Sequence, residues 1–186
     1  VQKFITSVSD TNILPVPPTV ARRAFRTSKT VRQSGNVSPT LLQNFYRITV
    51  QGVQNAASTL SLFESLGQDF SPSDLTAFQQ QYNLPQVAVS NVIGGNDPTA
   101  CSDNPNNCGE ANLDVQWAFA VAQNVTMTYW NVPGNGDIFL QWVEAVTATS
   151  NPPLIHSLSY GSLAPEDPKF DVESFNTDMC KLGLKG

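Results

Sequence analysis

A chain of 186 residues with 40% hydrophobic content, ten Phe, four Tyr and three Trp is long enough to bury one sizeable core and short for two, which excludes a disordered polypeptide. A formal charge of −5 with only 13% charged residues excludes a nucleic-acid partner, because phosphate binding needs clustered positive charge. No apolar run approaches the roughly 20 residues a membrane helix needs, so no membrane span is expected.

Residues 1–37 stand apart from the rest. LPVPPT and the basic stretch holding Arg22, Arg23, Arg26, Lys29 and Arg32 show no sustained periodicity, and they read as a linker or processing tail. The start VQKFITSVSD lacks the apolar core of a signal peptide, so a targeting segment is expected to have been removed or to lie outside this chain. At Ser38-Pro39 a helix opens, with Ser as N-cap, Pro at the first helical position and TLLQNFYRI behind them. A strand is predicted over SLFESLG, from Ser61 to Gly67, and a second Ser-Pro helix over SPSDLTAFQQQYN from Ser71. QVAVSNVI, 86–93, reads as a strand, and the Gly/Asn/Asp/Pro stretch Gly94–Gly109 as a loop. GEANLDVQWAFAVAQ from Gly109 reads as a helix, NVTMTYWNV at 124–132 as a strand, and DIFLQWVEAVTAT as a helix. PLIHSLSYG at 153–161 is a further strand, and DPKFDVESFNTDMCKLGLKG a final helix ending in glycines.

Strand and helix alternate, which predicts parallel strands joined by right-handed crossovers, hence an α/β doubly wound sheet. A parallel sheet needs covering on both faces, and the chain stops after a helix, so an incomplete domain is expected over 38–186. In such sheets functional groups gather beyond the carboxyl ends of the strands. The Gly94–Gly109 loop and the segment around Tyr160 and Gly161 lie there.

The cysteines and sequons bear on the compartment. Cys101 and Cys108 flank the polar loop CSDNPNNC and can close a short disulfide, which leaves Cys180 over. Glycosylation sequons occur at Asn36-Val-Ser and Asn124-Val-Thr. Together these favour an exported protein; a cytosolic one with three free thiols is the alternative.

Glu110 and Asp114 open an otherwise apolar helix at i,i+4 spacing, which puts both carboxylates on one face. Two readings fit. Acids are favoured in a first helical turn because they meet the positive end of the helix dipole. Alternatively, two acids on a buried face repel and lose hydration, so that one keeps its proton at mildly acidic pH and the pair can pass it on.

The string Glu110-Ala-Asn-Leu-Asp114-Val-Gln116 resembles the Glu-x-x-x-Asp signature of the sedolisins, the serine-carboxyl peptidases. Ser157-Leu-Ser159-Tyr160-Gly161 is similar to that family's Ser-x-Ser-Tyr/Trp-Gly strand. Phe139-Leu-Gln-Trp142, SPTLLQNFYRI and the Asp74-to-Tyr82 helix resemble the tripeptidyl-peptidase branch. The likeness runs in order over residues 37–186, and 1–35 are similar to the end of the family's propeptide and its linker. It implies a subtilisin-like fold and a Ser-Glu-Asp triad. Glu110 would be general base toward a serine hydroxyl and Asp114 would hydrogen-bond and orient it, while Ser159, Tyr160 and Gly161 would line the substrate cleft.

A carboxylate base, with a reference pKa of ~4.3, still works where imidazole, at ~6.5, is protonated, so an acid peptidase in a secreted or lysosome-like compartment is expected. His156, the one histidine, falls on the strand face opposite Ser157 and Ser159 and reads as structural. The family's Gly-Thr-Ser nucleophile motif, its oxyanion-site Asp and its calcium ligands have no counterpart in these residues. The resemblance therefore implies either a second polypeptide carrying the Ser and the calcium site, or that this chain is a fragment or a truncated, inactive relative. Cys180 would either bridge to that partner or be a buried free thiol. The alternative function is a catalytically incomplete secreted module that binds peptides. A flavodoxin-like ligand domain is a third reading, for which Gly94-Gly95-Asn-Asp makes a poor phosphate loop.

Overall fold

The structure, a computed structural model, describes residues 37–49, 52, 55, 57–161 and 169–185. The tail expected over 1–37, apart from Val37, and the sequon at Asn36 lie outside the described residues.

Each helix start predicted from Ser-Pro chemistry forms as expected. Helix α1, Pro39–Tyr46, is capped by Ser38, whose hydroxyl accepts from the Leu41 N–H at 3.2 Å. Helix α2, Pro72–Gln81, is capped by Ser71, which accepts from the Asp74 N–H at 3.2 Å. The strands are β1 (Thr59–Glu64), β2 (Asn91–Ile93), β3 (Thr126–Asn131) and β4 (Ile155–Leu158), arranged β2-β3-β1-β4 with every pairing parallel. The remaining helices are α3 (Ala100–Asp103), α4 (Gly109–Val121), α5 (Ile138–Ala148) and α6 (Lys169–Gly183).

Strand alternation distributes the core over two faces. On one face Leu62, Met127 and Tyr129 pack against Leu75 of α2 and against Ala111, Val115 and Phe119 of α4. On the other, Phe63 and Trp130 pack against Trp142, Val143 and Val146 of α5, with Phe175 and Leu182 of α6 behind them. Helices on both faces of a parallel sheet make this the expected α/β doubly wound architecture, and it matches part of a subtilisin-like domain.

Several boundaries differ from the sequence reading, β4 among them, which forms over Ile155–Leu158 rather than 153–161. Strand β1 ends at Glu64 rather than Gly67, because Leu66 and Gly67 take φ of 58° and 73°, outside the extended region. Of the strand expected over 86–93, only Asn91–Ile93 joins the sheet. The preceding stretch is held by a side chain instead: Gln79 Nε2 donates to the Val87 carbonyl at 2.8 Å, and the Val87 N–H donates to Gln79 Oε1 at 3.3 Å. The Gly94–Gly109 loop contains the short α3 and a 3₁₀ turn, Pro105–Asn107. Cys180 is exposed on α6, which removes its reading as a buried thiol.

Candidate active site

Four pieces of backbone converge at the carboxyl ends of β1 and β4. Glu64 is the last residue of β1 and alternation aims it at the α4 face, alongside Leu62. Glu110 and Asp114 lie in the opening turns of α4. Ser159 and Tyr160 follow the end of β4. The result is a carboxyl cluster of Glu64, Asp114 and Glu110, arranged from fully buried, through half-buried, to the more open side.

Burial is the main cause of the electrostatics here. It pushes Glu64 up to about 8, with the neighbouring Asp114 and Glu110 charges adding to the rise and a hydrogen bond from Tyr160 opposing it. Asp114 is also raised by burial, held back by hydrogen bonds from Ser159 and Glu64. Glu110 is raised by burial and then by the Asp114 charge. Glu64 and Asp114 are close enough to affect each other's ionisation, and burial raises both. Glu64 Oε1 and Asp114 Oδ2 are each left without an aligned partner, so this contact is a close but imperfect bond. Burial and the Glu64 charge also raise Tyr160 and Tyr129 above the ordinary phenol range.

The pair of acids expected from the sequence is thus brought together with a further one. Glu110 and Asp114 act on each other through charge, while the hydrogen bonds of Asp114 go to Ser159 and Glu64. The Tyr160 hydroxyl donates to Glu64 Oε2 at 3.0 Å, has the Ser65 carbonyl as a second acceptor at 3.2 Å, and accepts from the Ser65 N–H at 3.4 Å. Tyr160 is therefore tied to the inner side of the cluster. Gly161 is exposed, and a Cβ there would meet nothing within 4 Å, so any requirement for glycine comes from a group outside the described residues. Among the described residues, no serine hydroxyl is hydrogen-bonded to Glu110.

Sequence reasoning missed two members. Glu64 carried a signal, an acid closing the otherwise apolar run of a buried strand. Gln68 carried none. Its Oε1 accepts the Glu110 N–H at 3.0 Å, its Nε2 donates to the Asn106 carbonyl at 2.8 Å, and its own carbonyl accepts the Tyr129 hydroxyl at 2.6 Å. It takes up one of the orphan donors at the start of α4 and ties that helix to the loop after β1. The Cys101–Cys108 disulfide, with Cα atoms 5.3 Å apart, closes the loop immediately before α4.

The other candidates are placed as follows. Asn124 is exposed in a turn at φ 62°. His156 lies on the α5 face, its ring centroid 5.4 Å from that of Trp142 and 6.3 Å from that of Trp130. No group of three or more His, Cys, Asp or Glu side chains among the described residues is arranged to hold a metal ion, so no residue of this chain is assigned to the calcium that the resemblance implies. No helix among the described residues is long and apolar enough to cross a membrane.

Fold and site together define an α/β protein with a cluster of three carboxyl groups at the carboxyl edge of a parallel sheet. The chain is 29% identical over 148 residues to tripeptidyl-peptidase 1 of Dictyostelium discoideum, which covers 75% of this chain and 23% of that protein. It is 27% identical over 181 residues to the Homo sapiens tripeptidyl-peptidase 1, covering 91% and 31%, and 26% identical over 158 residues to that of Mus musculus, covering 81% and 27%. No family model matches the chain. These likenesses lie across the carboxyl cluster and support the sedolisin family, in its tripeptidyl-peptidase branch. It spans only about a quarter to a third of the length of these relatives.

Proposed function

We propose that residues 38–186 are the N-terminal part of the catalytic domain of an acid-acting serine-carboxyl peptidase. A second polypeptide supplies the Ser nucleophile, the oxyanion-site Asp and the calcium ligands. What supports this is the Glu64–Asp114–Glu110 cluster at the carboxyl edge of the sheet, in which burial raises all three acids and the Asp114 charge adds to the rise of Glu110.

In this reading the ionised Glu110 takes the proton of the serine hydroxyl as its oxygen bonds to the substrate carbonyl carbon. Glu110 then returns the proton to the leaving amine as the peptide C–N bond breaks. Water completes hydrolysis of the acyl-enzyme by the same shuttle. Asp114, hydrogen-bonded by Ser159, keeps Glu110 raised through its charge. Residues 159–161 border the opening where the peptide backbone lies. Peptide substrates, a secreted or lysosome-like acidic compartment, glycosylation at Asn36 and Asn124, and a bridge through the exposed Cys180 all belong to this proposal.

The test is peptide hydrolysis by the protein together with its completing polypeptide, across acidic to neutral pH. Wild-type protein should cleave peptides under acid conditions, and Glu110→Gln should abolish cleavage without lowering thermal stability. Cleavage by Glu110→Gln at the wild-type rate overturns the proposal. Peptide binding without any cleavage by the wild type favours the incomplete peptide-binding module instead.

A further inference from the structure

Among the described residues, the face of the sheet opposite the carboxyl cluster is only half covered. Helices α5 and α6 pack over Phe63 of β1, Trp130 at the end of β3 and Leu158 of β4. Strand β2 contributes to neither core cluster, and all its residues are exposed, Ile93 at 38%. Parallel strands are ordinarily buried on both faces, so an open parallel edge needs a cover.

The uncovered area is an open groove of about 1020 Å³ floored by Thr126, Thr128, Trp130 and Ile93 and walled by Met179. Lys185, at its rim, already donates to the Thr147 and Thr149 carbonyls. No carboxylate lines it among the described residues. His156 also lines it, and both ring nitrogens are buried without a hydrogen bond of ordinary geometry. The Pro153 carbonyl lies near enough to oppose the effect of burial on that imidazole, but out of line. Buried imidazole N–H groups normally find an acceptor.

The geometry points to this groove as the seat of an apolar segment of the completing polypeptide, one that brings a hydrogen-bond acceptor to His156. This rests on the proposed function, in which polypeptide outside the chain completes the domain. It is argued from the half-covered parallel sheet, the unpartnered imidazole, and relatives of which the chain spans 31% or less. The uncharged floor excludes a highly charged segment, whose desolvation nothing here would offset.

The protein's two methionines provide the readout, since Met127 is 0% and Met179 40% exposed in this chain. In hydroxyl-radical footprinting of the complete, peptide-cleaving protein, Met179 should oxidise about as slowly as Met127. The substitution Ile93→Glu, or Thr126→Lys at an exposed floor position, should speed Met179 oxidation about tenfold while Met127 stays protected as the sign of an intact fold. Oxidation of Met179 at the rate of a free methionine in the active wild type overturns the inference and leaves the proposed function standing. A protected Met179 in a protein that never cleaves peptides does the reverse.

Discussion

Phe63 and Glu64 are neighbours in β1, both 0% exposed, and they face opposite layers. Phe63 meets Phe139, Trp142 and Tyr160 at ring-centroid distances of 5.8, 6.2 and 5.2 Å. Glu64 meets Asp114, Tyr160 and the charge of Glu110. The same depth of burial therefore does opposite things one residue apart. For the ring, removal from water is stabilising and orders the α5 layer. For the carboxyl, it is destabilising in the charged form and makes the group hold a proton. One face of the sheet supplies the stability that lets the other hold a strained electrostatic arrangement.

Phe63→Ala is expected to have the largest effect. Truncating a fully buried ring surrounded by aromatic partners should cost about 3–5 kcal/mol, read as a drop in the midpoint of chemical denaturation. A loss below about 1 kcal/mol would mean that the α5 layer does not carry the fold.

The next effect belongs to Glu64 and runs with pH. An acid whose folded pKa is raised keeps its proton in the native state while the unfolded chain, at 4.5, has released it. Stability from this site is complete below pH 4.5 and is lost as pH rises toward about 8. The raised Asp114 and Glu110 push the same way. The groups facing Glu64 are Asp114 and Glu110 from α4 and Tyr160 after β4, with Tyr129 of β3 coupled to it through charge, and none of them is a cation. The unfolding free energy should therefore fall between acid and mildly alkaline pH by a few kcal/mol, taking ~1.4 kcal/mol per unit as an upper slope, read by chemical denaturation. Glu64→Gln should flatten that dependence. A slope unchanged by Glu64→Gln would place the titrating group elsewhere.

The difference between the two faces also explains what was legible in the amino-acid sequence. Apart from the short α3 and the 3₁₀ turn, the helices and strands of the described region have their counterparts in hydrophobic period and cap chemistry, because both act within a few residues: Ser38, Ser71 and the apolar run after Ser61 are local facts. The acid pair was legible for the same reason, since Glu110 and Asp114 share one helix. Glu64 and Gln68 reach α4 from more than forty residues away, and nothing in their own neighbourhood marks the partner. The short β2 was misread because a glutamine side chain from α2, rather than a neighbouring strand, satisfies the backbone of Val87. A side-chain amide standing in for a sheet partner leaves no periodic trace.

The smallest effect is the most local test of the cluster. Ser159 sits on an exposed strand exit, yet its hydroxyl hydrogen-bonds Asp114 and lowers that residue's pKa. Removing a donor to a carboxylate disfavours its charged form. Ser159→Ala should therefore raise the Asp114 pKa and move the acid limb of the peptide-hydrolysis profile to higher pH, by less than about one unit. Because the hydroxyl is exposed, stability should change by no more than about 0.5 kcal/mol. A shift of the limb without loss of stability assigns Ser159 to the proton arrangement. Unchanged pH dependence accompanied by weaker substrate binding would instead turn Ser159 outward, toward the peptide.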